Sequence, residues 1–381
     1  MSSKAGQGQS GMTGGNHPRR VILAGGGHAH LAVLADWAAQ ELPNTERVLV
    51  TRQRHLAYSG MLPGWMAGRY RAEDLLIDLA PLAEAAGARL VLDDVVGLDA
   101  AARHLRLASG ATLAFDLLSV ATGGTIATEA FAALGARLLP VRPVEAFMTG
   151  WDAFCAAGPG RAVAVVGGGA AGVELALAAA RRGHHVHLIA PATGFMPGHG
   201  AWARHLARTA LARAGVIVHA SMARGRPEGL ALDDGAILPV DLAILATGSG
   251  PPGWLADSGL ALDPCGFVLT GADLRSASHA EVFAAGDLAA RTDLALPRAG
   301  VHAVKAGPVL AANLRAALAG AGLRAYQPGS RRLALLATGD GRAIASWGQF
   351  AAAGRWLSRV KDRIDRGFVA RYTRRNAIRG E

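Results

Sequence analysis

Three groups of residues in this chain have the types and spacing to do chemistry. Two are glycine turns: Gly25-Gly26-Gly27 followed by His28 and His30, and Gly167-Gly168-Gly169 followed by Gly172 and Glu174. Each turn follows an apolar run, Val21-Ile22-Leu23-Ala24 in one case and Val163-Ala164-Val165-Val166 in the other. In a strand–turn–helix unit the first glycine makes the tight turn and the second lets the backbone approach a pyrophosphate. The third lets the helix pack on the strand, and the helix N-terminus attracts the anion. The third group is Gly286-Asp287 at the end of Val282-Phe283-Ala284-Ala285. A carboxylate at a strand end, ahead of a helix beginning near Gly300-Val301, suits hydrogen bonding to a ribityl chain. That helix would aim its positive end at a flavin carbonyl.

Single positions refine the picture. His30 stands where the first unit should carry its third glycine, so its imidazole either pushes the helix off the strand or points at the ligand. The His28-x-His30 pair also admits a metal reading. No Cys, Asp or Glu neighbours it, so no metal is expected and a packing or cofactor-facing role is read instead. The acid that normally binds the adenosine ribose at the end of each second strand is missing. Thr51 and Arg52 stand there in the first unit, Ala190 and Pro191 in the second. Weak discrimination between NADH and NADPH follows. Glu174, on the first turn of its helix, is either a helix-dipole partner or a group beside the nicotinamide and flavin. Lys305 either adds charge near the flavin or is a solvated lysine.

These positions need elements to hold them, and the chain supplies a repeat. Residues 20–27 read as a buried parallel strand, 28–41 as a helix and 47–51 as the next strand. The second unit runs strand 162–166, helix 170–182, strand 185–190, helix 201–214, strand 216–219. Both units close on an apolar strand ending in Ala-Thr-Gly, at Ala121-Thr122-Gly123 and Ala246-Thr247-Gly248. Both carry a hairpin signal just before it, Ser109-Gly110 and Asp233-Asp234-Gly235. Residues 58–68 read as irregular, 75–86 and 301–319 as helices, and 333–347 as antiparallel strands around Asp340-Gly341. Two such units make electron transfer between nucleotide cofactors the leading reading.

Composition sets the outer limits. The 381 residues, 51% apolar, suffice for two or three domains. No apolar run reaches the roughly 18 residues that span a bilayer. Cys155 and Cys265 form no C-x-x-C pair, so neither a disulfide framework nor a dithiol relay is expected. The net charge of +10 gathers at the C-terminus, where nine Lys/Arg stand against three Asp/Glu from Arg355 onward. There Leu357, Val360 and Ile364 repeat at helical spacing, with Arg355, Arg359, Arg363 and Arg366 around the other side. A basic amphipathic helix of this kind is a membrane-surface signal.

Taken together, the motifs resemble the FAD-dependent pyridine nucleotide–disulfide oxidoreductase superfamily. The loop His55-Leu56-Ala57-Tyr58-Ser59-Gly60-Met61-Leu62-Pro63-Gly64 is similar to that of type II NADH dehydrogenases. Gly25-Gly26-Gly27-His28-Ala29-His30, the 58–64 segment, and the stretches at 300–308, 337–340 and 361–368 resemble the flavoprotein half of selenide, water dikinase fusions. No kinase part follows here, so a stand-alone version is expected. The resemblance implies an α/β fold of two Rossmann-like domains, for FAD and NAD(P), with a small C-terminal α+β domain. The expected boundaries are a disordered tail at 1–17, an FAD domain at 18–145 and 264–325, an NAD(P) domain at 146–263 and a C-terminal domain at 326–381. FAD would lie against Gly25, Gly27, His28, His30, Arg52, Ser59, Gly60, Met61, Ala121, Thr122, Gly123, Gly286, Asp287 and Val301. NAD(P)H would lie against Gly167, Gly169, Gly172 and Gly248, with Glu174 and Lys305 as catalytic candidates. The activity implied is hydride transfer from NAD(P)H to FAD and onward to a quinone or similar small acceptor. Rival readings are a reductase or oxidase of selenium or sulfur metabolism, and a flavin-binding scaffold without catalysis. The expected setting is the cytoplasm with peripheral contact to the inner membrane face, and no nucleic-acid partner.

Overall fold

A computed structural model describes residues 17–329 and 333–373. Residues 1–16 of the expected tail at 1–17, and Arg374, Arg375 and Arg379 of the basic end, lie outside the described residues. The two glycine units fold into two five-stranded parallel sheets. The first runs Val282–Ala284, Leu117–Val120, Arg19–Ala24, Thr45–Thr51, Ala88–Leu92. The second runs Leu138–Pro140, Leu242–Leu245, Ala162–Val166, His185–Ile189, Ile217–His219. In each, the strand feeding the glycine turn is central, flanked by the Ala-Thr-Gly strand and the second strand of its unit. Both central strands are continuous apolar runs because both faces of such a sheet are covered. Val21, Ile22, Leu23, Val163, Ala164 and Val165 are all fully buried.

Both hairpins form three-stranded antiparallel meanders. One comprises Val95–Asp99, His104–Leu107 and Thr112–Ala114, the other Ala223–Arg226, Gly229–Leu232 and Ile237–Leu238. The helix Gly300–Ala319 returns to the first sheet and lies on the helix His28–Ala39. Gly307 permits the close approach, since a Cβ there would sit 2.8 Å from the Ala32 side chain and 2.9 Å from the Ala29 carbonyl. The C-terminal unit is an antiparallel sheet, Leu333–Ala337, Ala343–Trp347 and Phe350–Gly354, followed by the helix Arg355–Thr373.

Two segments differ from the sequence reading. Residues 58–68 are ordered as a 3-10 turn Ser59–Met61 and a short helix Leu62–Met66, which Pro63 can open because the first turn needs no N–H there. Residues 75–86 are not one helix. Leu76–Asp78 pairs as a strand with His55–Ala57, and the helix Leu79–Ala85 starts only where the Asp78 carboxylate accepts the Ala80 N–H at 3.0 Å. That N-cap fixes the helix start immediately after the strand, at Leu79.

Candidate functional site

Each Ala-Thr-Gly strand end is pressed against the glycine turn beside it. A Cβ on Gly25 would meet the Ala121 carbonyl and the Thr122 N–H at 2.6 Å, and one on Gly27 the Ala121 carbonyl at 2.4 Å. In the second unit a Cβ on Gly167 would lie 2.2 Å from the Ala246 carbonyl. Gly25 and Gly167 also have φ of +98° and +128°, which bulkier residues avoid. The two motifs repeat together because each shapes the other. Gly169 differs: nothing lies within 4 Å of where its Cβ would be, so its backbone faces open space. The helices behind both turns lack a side-chain N-cap, leaving their first N–H groups for a ligand.

The first turn opens into a cavity of about 760 Å³. Its walls include Gly25, Gly27, His28, Arg52, Ser59, Ala121, Thr122, Gly123, Gly286 and Asp287, as the sequence reading expects. Glycine cradles that exclude side chains, uncapped helix N–H groups and this volume fit a dinucleotide. His28 adds a second sign. Its Nε2 is buried without a protein partner, and burial with the Arg142 charge lowers its pKa to about 4. The imidazole is therefore neutral and available to a bound group.

Other expected residues stand elsewhere. His30 does not reach the cavity; it is fully buried with a pKa lowered to about 4 by burial. The neutral ring donates from Nδ1 to the Gly25 carbonyl at 2.6 Å and accepts at Nε2 from the Ser119 hydroxyl at 2.8 Å. It thus ties the turn to the neighbouring strand, a packing role. Met61 is fully buried in the core. Gly60 turns away from the cavity: a Cβ there would meet the Tyr58 ring at 2.8 Å. Of the helix at 300–319, Gly300 and Ala303 line the cavity, whereas Val301 and Lys305 are exposed. We expect His30→Gly to keep its flavin and lose thermal stability, because two buried hydrogen bonds of about 1 kcal/mol each disappear. A spectrum and a melting curve decide it; loss of flavin at unchanged Tm would assign His30 to the ligand.

In the second unit a Cβ on Gly172 would lie 1.8 Å from the Gly167 carbonyl. Ala190 sits at the turn, its Cβ 2.4 Å from where a Gly168 side chain would begin. The position of the missing acid is thus used for packing. Gly248, at φ +103°, lies three residues past the strand Leu242–Leu245, with open space where a Cβ would be. Glu174 lies beyond the first turn of the helix Ala170–Arg181, so it is not the dipole partner expected there. Its carboxylate accepts the Ala337 N–H at 2.7 Å and so holds the C-terminal sheet. Burial pushes its pKa up to about 7, against the lowering effect of Lys361.

Sequence reading missed three features. Arg142 lines the first cavity and pairs with Asp287 at 2.5 Å. Asp287 is only 8% exposed. Asp93 and Asp94, at the end of the third strand, bring acids to the wall where Thr51 and Arg52 had none; Arg52 pairs with Asp94 at 3.1 Å. The Asp-Asp pair directly after the apolar run Leu90-Val91-Leu92 was the available signal; for Arg142 there was none. Among the described residues no group of three metal-ligating side chains forms, and neither cysteine lines the cavity.

Two parallel sheets with paired glycine turns, one opening on a dinucleotide-sized cavity, define an oxidoreductase that uses FAD and NAD(P)H. Residues 19–307 match the pyridine nucleotide-disulphide oxidoreductase family, and the chain belongs to it. It is 28% identical over 287 residues to the probable ferredoxin reductase CtmF of Castellaniella defragrans, covering 72% of this chain and 69% of that protein. It is 32% identical over 206 residues to the ferredoxin–NAD(+) reductase component of the biphenyl dioxygenase system of Paraburkholderia xenovorans, 51% of this chain and 48% of that one. Among solved structures, the sulfide:quinone oxidoreductase of Aquifex aeolicus superposes with a TM-score of 0.77 at 16% identity, covering 93% of this chain and 92% of that one. Putidaredoxin reductase in its covalent complex with putidaredoxin superposes at 0.73 and 18% identity, covering 91% and 93%. These two share the fold.

Proposed function

We propose that the first cavity holds FAD, that NAD(P)H binds at the Gly167 turn, and that electrons leave to a quinone held in a membrane. Gly25, Gly27, His28 and Asp287 would hold the flavin nucleotide; Gly167, Gly169 and Gly172 would seat the nicotinamide nucleotide. The flavin supplies the hydride-accepting chemistry, and the protein supplies position and electrostatics.

The observation that carries the choice of acceptor is the outer face of the C-terminal helix. Leu357, Phe368, Val369 and Tyr372 are buried against the body of the protein. Trp356, Val360 and Ile364 are 60%, 38% and 52% exposed on the other side, among exposed Arg355, Arg359 and Arg363. The sequence reading grouped Leu357 with Val360 and Ile364; the structure separates them, and the free stripe is the one flanked by arginines. Trp347 and Phe350, at the tip of the adjoining hairpin, are 47% and 72% exposed and enlarge the apolar surface. No helix among the described residues is long and apolar enough to cross a membrane. An amphipathic helix with this face lies in a lipid interface, and each basic residue there adds about 1 kcal/mol at low salt.

A second reading has its own support. Both curated relatives are named as ferredoxin reductases, and a basic face also suits an acidic protein partner. Sedimentation with anionic liposomes separates the two. We expect salt-reversible binding that Trp356→Ser/Ile364→Ser abolishes with flavin retained, together with loss of turnover on liposome-embedded quinone. Absence of binding by wild type, with fast reduction of a ferredoxin, would establish the second reading instead.

A further inference from the structure

Between the first cavity and the C-terminal helix lies a polar cluster in which Asp365 is buried and Tyr58 and Lys361 are half-buried. Ala57 and Ser59 line the cavity, and Tyr58 between them faces the helix. Its ring stacks on Phe368 at 4.4 Å and meets the edge of His28, itself in the cavity wall, at 5.6 Å. The Tyr58 phenol lies close enough to Asp365, which is 4% exposed, for the two to interact electrostatically. Lys361 donates to Asp365 at 2.8 Å and to the Gly60 carbonyl at 2.8 Å. Gly60 makes this possible: a Cβ there would lie 2.9 Å from the Tyr58 hydroxyl and displace the ring.

Resting on the quinone reading, we propose that Asp365 and Tyr58 form the proton line that serves an acceptor reaching the half-buried Tyr58 beside the wall of the first cavity. The stoichiometry requires such a line. Hydride from NAD(P)H carries two electrons and one proton, while a quinone taking two electrons needs two protons to become a quinol. The second proton comes from water. In the proposed step the Tyr58 O–H bond breaks as the quinol O–H forms, Tyr58 takes a proton from Asp365, and solvent restores Asp365 past Lys361 and Asp362.

Helix docking alone does not account for the cluster. Leu357, Phe368, Val369 and Tyr372 already dock the helix, and burying a carboxyl with an ammonium is a costly way to add adhesion. The groups facing Asp365 are Lys361 and Asp362 on its own helix, Tyr58 on the loop, and Glu174 from the second sheet's helix. Burial raises the pKa of both Asp365 and Tyr58, which favours the proton-holding form of each.

The test uses the full-length flavin-loaded protein with Tyr58→Phe and, separately, Asp365→Asn. Each is assayed with a quinone and with ferricyanide, which takes electrons without protons. We expect the ratio of quinone to ferricyanide turnover to fall about 100-fold in both variants, the usual worth of a positioned proton donor. We also expect the solvent deuterium isotope effect on the quinone step to change in both. Independently of turnover, the ring signal of labelled Tyr58 should titrate at lower pH in Asp365→Asn than in wild type. If wild type reduces quinone and both variants keep its ratio and isotope effect, the proton line is wrong and the quinone reading stands. If wild type reduces ferricyanide and no quinone, both fall.

Discussion

Gly172→Val gives a protein that purifies yellow and is no longer reduced by NADH or NADPH. The Cβ that valine adds at position 172 would lie 1.8 Å from the Gly167 carbonyl, far inside contact distance, and that oxygen belongs to rigid backbone. The helix Ala170–Arg181 must move off the strand Ala162–Val166, and the turn that should cradle a pyrophosphate opens. Overpacking of this kind costs about 1–3 kcal/mol of stability, which a domain survives. The effect on binding is larger, since the turn's N–H groups lose their common aim. We expect anaerobic flavin reduction to slow by more than about 100-fold, equivalent to roughly 2.7 kcal/mol. The first cavity draws none of its lining from this turn, so flavin content should match wild type. Circular dichroism and flavin absorbance control for folding. Reduction at the wild-type rate would mean that the nicotinamide nucleotide binds elsewhere.

Much of this architecture was legible because its signals are local. A buried parallel strand is a continuous apolar run, a phosphate turn is a set of glycines at fixed spacing, and each recurs with its own Ala-Thr-Gly strand. What stayed hidden depends on contacts distant in sequence. Arg142 reaches Asp287 across 145 positions, and Glu174 reaches Ala337 across 163. The C-terminal helix shows the limit in another way. It carries two apolar stripes, and spacing alone cannot say which meets the protein. Tyr58, stacking on Phe368, and Tyr70, donating to Asp362 at 2.7 Å, select the inner one. His30 was visible as a departure from the glycine pattern. Its solution needed Ser119, 89 residues on, whose hydroxyl gives the ring a partner away from the cavity.

Asp287→Ala should strip most of the flavin from the protein. Asp287 sits on the turn after the edge strand Val282–Ala284, almost wholly buried, with its carboxylate on the cavity wall. Removing a buried charged hydrogen-bond partner costs about 1.5–3 kcal/mol. That weakens flavin binding by roughly ten- to 150-fold, read as loss of colour on dilution and as a raised dissociation constant in reconstitution. The Arg142 pair makes the result more informative. Alanine leaves the Arg142 guanidinium in the cavity without its partner at 2.5 Å, and an unpaired charge there disturbs the site by itself. If Asp287 acts on the flavin directly, Arg142→Met/Asp287→Ala remains as weak a binder as Asp287→Ala. If Asp287 serves only to restrain Arg142, the double variant recovers affinity, because the restraint is no longer needed. The two residues touch, so their effects should not add, and the sign of the coupling separates the two roles. Wild-type flavin affinity in Asp287→Ala would remove this carboxylate from the cofactor site altogether.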